Sequence, residues 1–114
     1  MKVLFIDDDF NRAQIAKNYY KEADIFLHSV DIPDDFIEFD LISFDNDLGN
    51  NKEVITKLRK LAWTNPPDLT GKIVIVHSMN PIAAIKIADI CRDFGAIVKI
   101  IPFSTFLVDN FLAP

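Results

Sequence analysis

Polar residues cluster where three apolar runs stop. Asp7, Asp8 and Asp9 follow the run 3–6, and Asp45, Asn46 and Asp47 follow the run 41–44. His77, Ser78 and Asn80 follow the run 73–76. Carboxylates crowded at one place repel, and one of them must keep its proton unless a cation intervenes. A hard cation resolves the conflict: magnesium typically takes one or two carboxylates, keeps several waters and is completed by phosphate oxygens. The sequence therefore nominates a Mg²⁺ or Mn²⁺ site with Asp8 and Asp45 as first ligands. Asp7 would hold a metal-bound water, and the Asp47 carbonyl is a further candidate ligand. Asp9 reads as a helix cap, and Asp47 also suits the turn before Gly49.

For these residues to meet, the chain must bring three strand ends to one rim. Its periodicity alternates accordingly. Residues 3–6, 25–30, 40–45, 72–76 and 96–101 read as strands, and residues 10–23, 51–63 and 81–94 as helices. Residues 33–39 fit a short helix or a loop, and 103–111 a short last helix. Asn80-Pro81 is an N-cap followed by proline at the first helical position, and Gly95 suits the position just past the helix end. Four of the strands are near-continuous Val/Ile/Leu/Phe runs, as in parallel strands buried on both faces. The expectation is an α/β fold: a five-stranded, doubly wound parallel sheet of flavodoxin-like order 2-1-3-4-5. Such sheets bind ligands beyond the carboxyl ends of their strands.

Composition sets the outer bounds. The 114 residues, half of them hydrophobic and a quarter charged, suit one domain covering 1–114. One cysteine excludes a disulfide framework or a multi-cysteine metal site. The apolar start ends at Asp7, too early for a signal peptide, and no stretch has the ~18 apolar residues of a membrane span. A soluble, cytoplasmic protein is expected. The net charge of −5 argues against a broad nucleic-acid surface or a membrane-surface binder. Of the 17 acids, 14 are Asp and three are Glu. Asp is a poor helix former, so these acids belong in caps, turns and sites.

The order of apolar run–Asp7-Asp8, apolar run–Asp45 and a fourth strand end with a hydroxyl resembles the receiver domain of two-component response regulators. The resemblance spans nearly the whole chain and implies magnesium binding by these acids, with Asp45 as phosphoacceptor. A closer likeness lies in Ser43-Phe44-Asp45-Asn46-Asp47-Leu48-Gly49 and His77-Ser78-Met79-Asn80-Pro81. These segments resemble the cyclic-phosphate-processing receivers, marked by S-x-D-H-D-L-G and H-S-x-N-P, with Asn46 standing where that family has His. Ordinary receivers carry a Lys before the proline after strand five, whereas here Ile101 precedes Pro102 and Lys99 lies two residues back.

The closer resemblance implies hydrolysis of a cyclic phosphate, such as the 2′,3′-cyclic phosphate of nucleotides or RNA ends. That chemistry needs an activated water, charge stabilisation and a proton for the leaving oxygen. His77 would give the proton, with Asp45 the other catalytic residue. Ser78 and Asn80 would bind the phosphate beside a helix N-terminus. The alternative is a non-enzymatic receiver-like signalling or interaction domain. It would dock a protein partner through the helix 81–94, the strand 96–101 and the tail carrying Phe103, Phe106 and Phe111. His28 and Cys91 read as structural, and Trp63, Tyr19 and Tyr20 as packing at helix edges.

Overall fold

The structure, a computed structural model, describes residues 1–45, 53–77 and 80–106. The apolar runs form β1 (Lys2–Ile6), β2 (Ile25–Ser29), β3 (Leu41–Phe44), β4 (Ile73–Val76) and β5 (Ile97–Ile100). All adjacent pairs are parallel, in the order β2-β1-β3-β4-β5. This is the doubly wound, flavodoxin-like arrangement that the sequence implies. Burial follows position in the sheet: β1, β3 and β4 are buried almost throughout, while the edge strands β2 and β5 are largely open.

Side chains alternate between two cores because successive strand residues point to opposite faces. Leu4, Ile6, Ile42, Phe44, Val74 and Val76 face α2 (Glu53–Thr64) and α3 (Pro81–Asp93), where Leu58, Ile87 and Cys91 complete the larger core. Val3, Phe5, Leu41 and Ile75 face Ala13 and Ala16 of α1 (Phe10–Tyr19), and Phe103 and Phe106 close that side. Burial pushes the Cys91 thiol up to about 12, as befits a core residue.

The helix ends are set by local chemistry. The Asp9 side chain caps α1, accepting from the Asn11 and Arg12 N–H groups. Asn80 caps α3 by accepting from Ala83 N–H, with Pro81 next in the chain. After α3, Gly95 has φ +95°, a left-handed conformation that favours glycine.

Three expectations are corrected. The first helix ends at Tyr19 rather than Ala23, because the chain turns at Tyr20 and Asp24 N–H donates to the Met1 carbonyl beside β1. Phe10, which helical spacing groups with Ala13 and Ala16 on one apolar face, lies off the core face, 67% exposed, with its ring 6.3 Å from that of His28. Trp63 is 89% exposed. At about 100° per residue it falls roughly opposite Val54 on α2, away from the buried face. The ambiguous stretch forms a single 3₁₀ turn at Phe36–Glu38. The last expected helix is described only as far as Phe106, where residues 104–106 form a helical turn.

Candidate functional site

Strand register assembles the rim. Ile6, Phe44 and Val76 lie side by side on β1, β3 and β4, so Asp7, Asp45 and His77 follow them at one level. The ladder continues through these residues: Asp45 N–H donates to the Ile6 carbonyl at 2.8 Å and His77 N–H to the Phe44 carbonyl at 2.9 Å. All three are buried, none more than 2% exposed. One ligand atom from each lies within 4.8 Å of the others.

Asp7 is the most heavily engaged of them. Its Oδ1 accepts from Asp9 N–H at 2.8 Å and Arg12 Nη2 at 2.8 Å. Its Oδ2 accepts from Arg12 Nε at 2.9 Å and His77 Nε2 at 3.2 Å. Burial alone would raise its pKa. The hydrogen bonds from His77, Arg12 and the Asp9 amide outweigh that effect and hold the carboxyl well below the usual carboxylate range. In return, the hydrogen bond to Asp7 raises the Arg12 pKa above its ordinary value.

Arg12 joins the whole rim. Besides Asp7, its Nη2 donates to Asp45 Oδ2 at 3.1 Å and to Asp8 Oδ1 at 3.3 Å. One cationic nitrogen thus touches three carboxylates from two strand ends. The Asp8 side chain is the open one, 37% exposed, against the closed Asp7 and Asp45.

His77 lies flat on Phe5, with ring centroids 4.5 Å apart and planes 8° from parallel. Because Asp7 is ionised and can only accept, Nε2 carries a proton and donates to it. The other nitrogen, Nδ1, lies 2.6 Å from Ser43 Oγ, two residues back along β3 from Asp45 and fully buried. A hydroxyl can donate or accept, so Ser43 satisfies Nδ1 whether the imidazole is neutral or charged. His28 has the structural role expected of it, with Nε2 donating to the Asp7 carbonyl at 2.7 Å.

Asp7, Asp45 and His77 are therefore brought together, and Asp8 joins them through Arg12. Asn80 sits at the N-terminus of α3 as its cap. Asp47 and Ser78, like Asn46, lie outside the described residues. Phe103 and Phe106 are buried against the Phe5 and His77 rings rather than offered to a partner. The apolar residues left open on α3 and β5 are Ile82, Ile85, Ile97 and Ile100. Phe111 lies outside the described residues.

The sequence pattern does not single out Arg12, and it offers Ser43 only as part of a motif, with no role of its own. Arg12 did leave a signal. It stands in the first turn of α1, a turn without an acid, where the positive end of the helix favours Asp or Glu and disfavours a guanidinium. Ser43 is marked as the serine that opens the S-x-D segment, but its bond to His77 is not, since Ser43 lies on β3 and His77 follows β4.

The rim suits a hard divalent ion by its donor set. Carboxylate oxygens of Asp7, Asp8 and Asp45 already surround one cationic atom, Arg12 Nη2, and oxygen is the donor that Mg²⁺ and Mn²⁺ take. His77 Nε2, holding its proton on Asp7, is a neighbour of that position and not a ready ligand.

No protein-family profile matches the chain, and no curated protein matches it. Among solved structures it is similar to a chain described as a yeast Spc42 trimeric coiled coil (amino acids 181–211) fused to another structure. The TM-score is 0.58 at 16% identity, over 96% of this chain and 75% of that one. At that identity the likeness carries the fold alone. Among the described residues no helix is long and apolar enough to cross a membrane.

Proposed function

We propose that this chain is a receiver-like domain that holds a divalent cation and a small phosphate ester at its strand-end rim and hydrolyses cyclic phosphates. The observation that carries the reading is the convergence of Asp7, Asp8 and Asp45 on a single cationic nitrogen, with His77 beside them. The two motifs that resemble cyclic-phosphate-processing receivers name the substrate class, 2′,3′-cyclic phosphates of nucleotides or RNA ends. The net charge of −5 favours a small or terminal substrate over a long polyanion.

Asp8 and Asp45 would hold Mg²⁺ or Mn²⁺, with Asp7 in support and the Asp47 carbonyl a further ligand. When bound, the ion activates water and offsets charge on phosphate oxygens. The chain's own groups do the rest. His77 in its charged form holds one proton at Nε2 for the leaving oxygen and another at Nδ1 on Ser43. After transfer from Nε2, the neutral ring keeps its Nδ1 proton and goes on donating it to the Ser43 hydroxyl. Asn80 and the positive end of α3 attract the phosphate, and Ser78 is a further donor to it.

Incubation with 2′,3′-cyclic nucleotides and Mg²⁺ or Mn²⁺ tests the reading. Metal-dependent opening of the ring, lost in Asp45→Asn, is the expected result. No product above that variant with either metal would overturn it.

The open Ile82, Ile85, Ile97 and Ile100 on α3 and β5 favour a second reading, a receiver-like interaction domain. Under it, an acyl-phosphate donor would modify Asp45 and change the oligomeric state. The absence of a Lys before Pro102 speaks for a weak response.

A further inference from the structure

Arg12 Nη2 stands where a cation shared by Asp7, Asp8 and Asp45 would stand, 2.8, 3.3 and 3.1 Å from their oxygens. We propose that Arg12 is a resident counter-cation that a divalent ion must displace, so that the rim is held closed by its own guanidinium until metal arrives. The inference rests on the metal-site reading above and deepens it by naming what regulates access.

Three observations support displacement rather than coexistence. First, Nη2 bonds all three carboxylates, so an ion drawing on the same oxygens meets the guanidinium as a like charge at contact distance. Coulomb repulsion between such neighbours is large wherever water is partly excluded, and Asp7 and Asp45 are buried. Second, Arg12 has somewhere to go. Its side chain is 31% exposed, it rises from the first turn of α1, and a long flexible stem can carry its head into water. Third, its position is unfavourable without the acids, because a helix N-terminus repels a cation. Carboxylates neutralised by an ion would no longer offset that cost, and Arg12 would leave more readily.

Arg12 thereby has a second role in the ion-free protein. Three carboxylates on one rim, two of them buried, would otherwise repel one another where water is partly excluded. The guanidinium offsets that repulsion and holds the three mutually oriented, ready for exchange with a metal. The exchange replaces one positive charge at the three carboxylates with two.

The test is calorimetric titration of the chelator-treated full chain with Mn²⁺, comparing wild type, Arg12→Gln and Arg12→Lys. Removing the charge in Arg12→Gln is expected to tighten Mn²⁺ binding on the order of tenfold or more. Arg12→Lys keeps the charge but loses the two-pronged grip on Asp7, and is expected to fall between. Without metal, Arg12→Gln should melt below wild type, and Mn²⁺ should raise its Tm by more than it raises that of wild type. If Arg12→Gln does not fold without metal, Arg12→Lys carries the comparison. Equal or weaker Mn²⁺ binding by the variants would overturn the proposal and leave Arg12 as scaffold. The proposal fails equally if neither wild type nor variants bind Mn²⁺. The readout is separate from turnover: wild type that binds Mn²⁺ but opens no cyclic phosphate overturns the proposed activity and leaves the Arg12 result standing.

Discussion

At Asp7, four N–H donors from three residues converge on one buried carboxylate. A carboxylate so bonded stabilises the fold in its ionised form, and its native pKa lies below the unfolded value. The contribution is therefore fully present above the unfolded carboxyl value of about 3.9 and is lost as pH falls through the lower native value. Asp7→Asn keeps the shape, removes the charge and leaves Arg12 facing an amide. In chelator at pH 7 it should cost about 3 kcal/mol, the scale of breaking a buried ion pair. The difference from wild type should hold down to about pH 4 and close below it, as read by thermal melts across pH. The sequence displayed Asp7 openly, because three acids after an apolar run are conspicuous. It marked His77 for the same rim but not the bonds that Arg12 and His77 make to Asp7, because these cross the turn of a helix and the width of two strands. Neither separation has a linear signature.

Elements were more legible than contacts, and caps most of all. Asp9, Asn80-Pro81 and Gly95 act through neighbours in sequence, so residue type alone places them. Helix length was less legible at α1, where the chain turns at Tyr20 and Asp24 N–H donates to the Met1 carbonyl without any breaker. Gly95 shows how local and tertiary demands coincide. Its φ of +95° is strained for any L side chain, and an added Cβ would also lie 2.8 Å from Thr70 Oγ1. Gly95→Ala should therefore destabilise by about 2 kcal/mol, of which the backbone share is about 1. Thr70→Ala in the Gly95→Ala background should return the steric share and not the backbone share. Chemical denaturation of the two single variants and the double variant separates the two contributions. Full recovery in the double variant would show the backbone share to be negligible.

At the scale of the whole molecule, the order of apolar runs foretold a parallel sheet with ligands at its rim, because buried strands and crossover connections follow general rules. Which core each rim residue would join was not foretold, since one residue of register decides the face. The outcome places His77 in the smaller core, between Phe5 and the pair Phe103 and Phe106. Phe103 and Phe106, which the sequence pattern offered to a partner together with Phe111, instead cover the proposed proton donor. The two cores should then be separable by mutation. Phe106→Ala and Leu58→Ala should each cost about 3 kcal/mol or more, as large-to-small changes at buried sites do. Under native conditions, however, Phe106→Ala alone should speed chemical modification of the His77 imidazole, with half-buried His28 as the internal reference. Leu58 lies across the sheet among the residues of the other core, so its truncation should lower Tm and leave the modification rate at His77 unchanged. Equal acceleration in both variants would mean that His77 is reached through global opening, and that the segment carrying Phe103 and Phe106 does not guard the rim.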